Sequence, residues 1–251
     1  GLQMHTTDIK GAYLNARLQV PEYCRSLPEL AELLNIPDFS DKDFAIKLVG
    51  ALYGLPQSGR RWNQLYKKVA LSFVHEGVEV KQSLVDPCIY IWRNVATGKI
   101  LIIGTHVDDG LYAHNDIKVL KQFMLHLKNN GFTLTDFELA NHFLGIGITQ
   151  KDGCVELDQR RQVINILKQE QDVHPKDMPF DPNTKLRPRS VEEGEATDAE
   201  KKHYLSLLGK CIYLLFTYPE LGWIISFLAK FSRNPTASAI TTLRARVVGY
   251  L

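Results

Sequence analysis

Cysteine is scarce in this chain: four residues in 251, at Cys24, Cys88, Cys154 and Cys211. They are widely spaced and form no CxxC pair, which argues against a zinc knuckle and a disulfide framework and for a reducing compartment. Long apolar runs are missing too. The longest, 211–216 and 223–228, fall well short of the ~20 residues a membrane-spanning helix needs, and no secretory leader pattern is visible. The expectation is an intracellular protein, cytoplasmic or nuclear, with no membrane partner. Neither charge dominates: 30 Lys and Arg face 28 Asp and Glu, a formal net charge of +2. A nucleic-acid footprint would therefore have to be local. The candidate strips are Arg60-Arg61, Lys67-Lys68, Arg160-Arg161, Lys185 to Arg189, and Arg244 with Arg246. Each also fits an ordinary solvated face. No internal repeat is visible either.

What is present is ample apolar content, 45% of residues, enough for a core in one or two domains. The most informative stretch is Gly104-Thr105-His106-Val107-Asp108-Asp109-Gly110. Apolar runs flank it, Ile100 to Ile103 and Leu111-Tyr112-Ala113. Such runs read as strands and Asp as a turn former, so the pattern predicts a β-hairpin with two acids at its tip. Adjacent carboxylates repel unless a cation sits between them. Mg²⁺ is held by one or two carboxylates plus substrate phosphates, so a strand-held acid pair fits phosphoryl or nucleotidyl transfer. It equally fits a surface turn that contains two Asp.

A further acid, Asp8, ends a β-rich segment and is followed by Lys10-Gly11-Ala12-Tyr13. Gly11 and Ala12 are small enough for a ligand to approach the backbone, and Tyr13 would floor a pocket. With Asp108 and Asp109, Asp8 would complete a two-metal site, whose ions lie roughly 3.5–4 Å apart. On its own, Asp8 also reads as a plain strand-end acid. The third segment, Ala51 to Trp62, is a Gly- and Pro-punctuated loop entering a helix. Trp62, Leu65, Tyr66, Val69 and Phe73 recur there at helical spacing, a stripe that reads as core. Gln57, Ser58, Arg60 and Arg61 start that helix, where N–H groups and cations suit phosphates.

The order of segments resembles the reverse transcriptase of copia-type LTR retrotransposons. The residues that carry the resemblance are Asp8 to Asn15, Ala51 to Ser58, Asp86-Pro87-Cys88-Ile89-Tyr90 and Val107-Asp108-Asp109. Phe143 to Ile148, Tyr204 to Lys210 and Ser232-Arg233-Asn234-Pro235-Thr236 complete the series. The resemblance implies an α+β right-hand polymerase palm with an antiparallel sheet, over residues 1–158, with incomplete fingers. A mostly helical thumb and the start of a connection region would follow over 159–251, with a loose linker near 174–197. It implies that Asp8, Asp108 and Asp109 hold two Mg²⁺ ions, with Mn²⁺ as a substitute. Gly11, Ala12, Tyr13 and Gln57 would contact the incoming dNTP, Tyr13 disfavouring a ribose 2′-hydroxyl. Phe143, Leu144 and Gly145 would grip the primer. The implied reaction is attack of a primer 3′-hydroxyl on a dNTP, templated by RNA or DNA. The implied partners are template with primer and the remaining Pol regions, RNase H and integrase, in a virus-like particle or the nucleus.

Departures from the family pattern are His106 for the usual Tyr, Pro56 for a frequent Lys, Gly59-Arg60 for Pro-Arg, and Tyr218-Pro219 for Arg-Pro. None removes a metal ligand. Only seven residues precede Asp8, whereas the family's fingers begin well upstream. A truncated, catalytically inactive remnant that at most binds nucleic acid is therefore the alternative. A palm-type cyclase or nuclease is a third reading, disfavoured by the primer-grip and thumb motifs.

Segment by segment, the pattern predicts strand-like backbone over Gly1 to Leu14 and an irregular excursion over Val20 to Asp43. A short helix is expected within it at 28–34, and a strand from Phe44 to Leu48. Paired strands are expected around Thr97-Gly98. A helix capped by Asn115-Asp116 should end at Gly131. A hairpin should turn at Asp152-Gly153, and helices should occupy 159–170, 198–217, 219–232 and 236–251.

Overall fold

The computed structural model describes residues 1–25, 32–33, 35, 45–151, 153–170, 173–190 and 194–251. The chain is α+β and divides into two compact units: Gly1–Phe143 with Asp152–Cys154, and Leu144–Lys151 with Val155–Leu251. The division falls earlier than the expected 158/159 boundary, because 144–151 and 155–158 cluster with the helical part.

Unit 1 is built on an antiparallel sheet. Its strands are β1 (Gln3–Asp8), β4 (Lys81–Gln82), β5 (Ile89–Asn94), β6 (Lys99–His106), β7 (Asp109–His114) and β8 (Glu138–Leu139), in the spatial order β8-β1-β7-β6-β5-β4. The strands β2 (Arg17–Arg25) and β3 (Ala45–Gly50) form a separate ribbon. The helices α1 (Ser58–Leu71) and α2 (Ile117–Asn129) belong to the same unit.

Alternation sets the layers. Tyr90, Trp92, Leu101, Ile103 and Tyr112 are buried, whereas Ile91, Ile102, Leu111 and Ala113 between them are only half-buried. This is the one-faced burial typical of antiparallel sheets. Register aligns the buried rows, with Tyr90 opposite Ile103, Trp92 opposite Leu101 and Ile103 opposite Tyr112. The helices cover that face: Tyr66 of α1 packs on Tyr90, and Phe123 of α2 on Tyr112. A buried aromatic removes about 150–250 Å² from water. At about 25 cal/mol per Å² each contributes roughly 4–6 kcal/mol before the entropy cost. The stripe Trp62, Tyr66, Val69 and Phe73 is buried as its spacing predicts. Asp116 caps α2 by accepting from the Lys118 N–H, and Gly131 follows the helix with φ 92°.

Two expectations need correction. Strand backbone stops at Asp8. Gly11 turns left-handed (φ 58°) and Ala12–Asn15 forms a 3₁₀ turn. Residues 20–25, expected to begin an irregular excursion, belong instead to the strand Arg17–Arg25. Pro21, which lacks an N–H, hid it; its register with β3 shifts between Arg17 and Glu22, the kind of place where a strand tolerates proline. The helix expected at 28–34 lies, apart from Glu32 and Leu33, outside the described residues, as does Phe44.

In unit 2, the strand β9 (Ile146–Lys151) neighbours β10 (Cys154–Asp158), which apart from Cys154 belongs to the same unit. The helices are α3 (Arg160–Gln169), α4 (Asp198–Leu214), α5 (Gly222–Ala229) and α6 (Ala237–Thr241), the last running into a π-helical segment Thr242–Val248. Thr197 and Glu200 close a capping box at the start of α4. Tyr204, Leu207, Leu208, Cys211 and Leu214 form the buried stripe of α4, packed with Ile166, Leu228 and Leu243. The described residues of 174–197 carry no helix or strand, yet they are tied down. Arg246 pairs with Asp181 at 2.9 Å, the Arg189 side chain donates to the Pro235 carbonyl, and Phe180 packs edge-on against Trp223. Among the described residues, no helix is long and apolar enough to cross a membrane.

Candidate active site

Backbone register brings the three acids together. Asp8 ends β1 directly opposite Asp109, which begins β7. Side chains paired in this way start about 4.5–5.5 Å apart at Cβ. Asp109 in turn faces His106 across the β6–β7 hairpin. Asp8, Asp109 and His106 thus form a row across three strands, and Asp108 lies in the two-residue turn beside it. Asp8 and Asp108 are half-buried; Asp109 and His106 are exposed.

The backbone around the acids is held from several sides. Asp8 N–H donates to Thr135 Oγ1 at 2.9 Å, and the Thr135 N–H donates to the Asp8 carbonyl at 2.9 Å. Ile9 N–H donates to the Asp108 carbonyl at 2.9 Å. Trp62 Nε1–H of α1 donates to the Val107 carbonyl at 2.6 Å. Val107 itself adopts φ 56°. Behind the acids, an added Cβ on Gly110 would lie 2.3 Å from Tyr112 Oη. The phenol therefore occupies the space where a side chain at 110 would go.

Electrostatics records the crowding. Burial, then the nearby Asp108 and Asp109 carboxylates, push the Asp8 carboxyl above its ordinary range, while Lys10 pulls it down. A cation would relieve this repulsion. The donors are hard carboxylate oxygens, which suit Mg²⁺. Among the described residues no three His, Cys, Asp or Glu side chains stand as a ready-made ion site, so the acids converge without forming a finished cage. Mg²⁺ does not require one, since it takes one or two carboxylates and completes its shell with phosphate and water.

The other expected residues distribute unevenly. Tyr13 is half-buried and packs on Tyr53, ring centroids 4.7 Å apart. The Tyr53 phenol is pushed up by burial, then by Asp108, Tyr13 and Asp8. Tyr53 is thus within electrostatic reach of Asp108 and Asp8, a relation that its position four residues before Gln57 did not reveal. Gly11 is half-buried, whereas the Ala12 side chain is fully buried in the core, leaving only backbone for a ligand. Gln57 donates to Glu22 Oε1 at 2.8 Å. The Ser58 hydroxyl is buried and donates to the Leu52 carbonyl at 2.6 Å, so it is not free for phosphate. Arg61 is engaged with Gln64 and Gln19. Phe143 closes unit 1, while Leu144 and Gly145 open unit 2 with φ 47° and 78°. The Leu144 carbonyl accepts from Tyr213 Oη. Of the basic strips, Arg244 pairs with Glu170, Arg246 with Asp181 and Arg189 with Glu200.

Comparison with known proteins points the same way. A family model described as reverse transcriptase (RNA-dependent DNA polymerase) matches residues 1–180. The chain is 29% identical over 222 residues to the retrovirus-related Pol polyprotein from transposon RE1 of Arabidopsis thaliana, covering 86% of this chain and 14% of that protein. It is 26% identical over 247 residues to the corresponding polyprotein from transposon RE2 of the same plant, covering 97% of this chain and 16% of the relative. The chain thus spans about one sixth or less of the length of these curated relatives.

Proposed function

This chain belongs to the reverse transcriptase (RNA-dependent DNA polymerase) family, and on that premise we propose that Asp8, Asp108 and Asp109 form its nucleotidyl-transfer site. The observation that carries the reading is the register that sets Asp8 opposite Asp109, with Asp108 adjacent in the turn. In this reading unit 1 is the palm, the β2–β3 ribbon belongs to the fingers, and unit 2 is thumb and start of the connection. The protein acts inside the cell on template, primer and dNTPs, alongside the remaining Pol regions.

The primer 3′-hydroxyl gives up its proton to solvent as its oxygen attacks the α-phosphorus of a dNTP, an O–P bond forms, the bond to the β-phosphate breaks, and pyrophosphate leaves. Two Mg²⁺ ions, when bound, would supply charge neutralisation for this step. Asp8, Asp108 and Asp109 are the residues that would hold them. The chain's remaining task is positioning, which is most of what phosphoryl transfer requires. Gly11 and Ala12 offer backbone to the triphosphate. Tyr13, braced by Tyr53, stands where a ribose 2′-hydroxyl would go. Phe143, Leu144 and Gly145 steady the primer end.

Primer extension on an RNA template with Mg²⁺ or Mn²⁺ tests the reading: dNTP incorporation is expected, and its absence under both ions opposes it. One observation favours the inactive-remnant reading, namely that Gln57, the expected dNTP contact, is bonded to Glu22. Incorporation eliminates that alternative. Tyr13→Ala is expected to lower the dNTP/rNTP preference by at least about tenfold, the equivalent of roughly 1.4 kcal/mol. Competition between dNTP and rNTP in the same extension reaction reads it, and an unchanged ratio removes Tyr13 from the gate.

A further inference from the structure

We propose that Trp62 is a positioning residue for this site, its indole N–H setting the pose of the acid-bearing turn by holding the Val107 carbonyl. The inference rests on the reading of Asp8, Asp108 and Asp109 as cation ligands, and goes beyond it.

The argument starts from the turn. His106 and Asp109 close the hairpin, so Val107 and Asp108 are the two loop residues. Two-residue hairpins need positive φ at the first loop position, which Gly, Asn or Asp supplies at little cost. Here a β-branched Val adopts φ 56°, a strained conformation that persists only where surrounding structure enforces it. The ladder cannot enforce it, because loop carbonyls lie outside the strand pairing. Both are instead taken by other elements. The Asp108 carbonyl accepts from Ile9 N–H, which ties the turn to the end of β1. The Val107 carbonyl accepts from Trp62, which ties it to α1.

Trp62 suits this task. It is 4% exposed and packed against Tyr66 and Phe132, with centroids at 5.8 and 5.2 Å. Its ring cannot swing away without opening the core. Helical spacing explains an aromatic at 62 as core filling, and Phe would fill much of the same space. A buried indole N–H needs a partner, and that partner is the residue immediately before Asp108. Loss of the bond would let the turn relax toward a cheaper backbone, carrying both acids with it.

The test replaces Trp62 in the full chain with three residues. Benzothienylalanine keeps the bicyclic shape without an N–H; 7-azatryptophan keeps the N–H; Trp62→Phe is the genetically simple form. Mn²⁺ affinity, read from the free-ion signal in electron paramagnetic resonance, and single-turnover extension rates are measured together. Benzothienylalanine and Phe are expected to weaken Mn²⁺ binding and slow extension by about 10–100-fold, the scale of a misplaced catalytic group. Affinity for primer–template stays unchanged, and 7-azatryptophan restores wild-type behaviour. Unchanged Mn²⁺ affinity and rate in the benzothienylalanine protein, whatever its melting temperature, would overturn the proposal and leave Trp62 as core alone. Failure of the wild-type chain to bind Mn²⁺ at all overturns the carboxylate reading and this inference with it.

Discussion

Asp108→Asn is expected to incorporate dNTPs at least about 10²–10³-fold more slowly than the wild-type chain, the scale of removing one charge-stabilising group from a transition state. The substitution keeps the shape and removes the charge. Its stability should barely change, because the turn is held by main-chain carbonyls rather than by the Asp108 carboxylate: Val107 through Trp62, Asp108 through Ile9. Removing one of three crowded acids also lessens repulsion on Asp8. Single-nucleotide extension together with thermal melting checks both halves. Retained incorporation would rule out the role given to Asp108, and a collapsed melt would make the rate loss uninformative about charge.

The second large effect concerns Gly110, one residue beyond the acids. Gly110→Ala places a Cβ 2.3 Å from Tyr112 Oη, 2.6 Å from Cζ and 2.7 Å from Cε2. Tyr112 is fully buried and packed on Phe123, so its ring has no free direction. Overpacking of this kind costs about 1–3 kcal/mol, a fall in melting temperature of several degrees for a chain of this size. Gly209→Ala is the control. That glycine lies inside α4 with open space around its missing Cβ, and the change should stabilise by about 0.5–1 kcal/mol. Equal melting of Gly110→Ala and wild type would mean that Tyr112 does not lie beneath Gly110.

Much of this was legible in the sequence for identifiable reasons. The β6–β7 hairpin announced itself through apolar runs around two turn-forming acids, and α1 through a 3.6-residue stripe. The cap of α2 was readable from Asp116 before Ile117. The partnership of Asp8 with Asp108 and Asp109 was not readable from spacing, because about a hundred residues separate them. On the residues alone it stood beside the reading of Asp8 as a plain strand-end acid, the family resemblance favoured it, and the register of β1 on β7 sets Asp8 opposite Asp109. The strand through Pro21 was missed because proline interrupts the alternation that marks strands. Trp62 was visible only as core, since periodicity reports where a side chain is buried and not where its N–H points. For the basic runs, periodicity and charge left a solvated face and a binding strip both open, and the carboxylate partners of Arg189, Arg244 and Arg246 were not visible in the sequence.

Calorimetric titration of Mn²⁺ into the chain and into its Asp8→Asn, Asp108→Asn double variant addresses the heart of this account. Saturable uptake by the wild type that disappears in the variant is the predicted result. No uptake by the wild type, or equal uptake by both proteins, would contradict it.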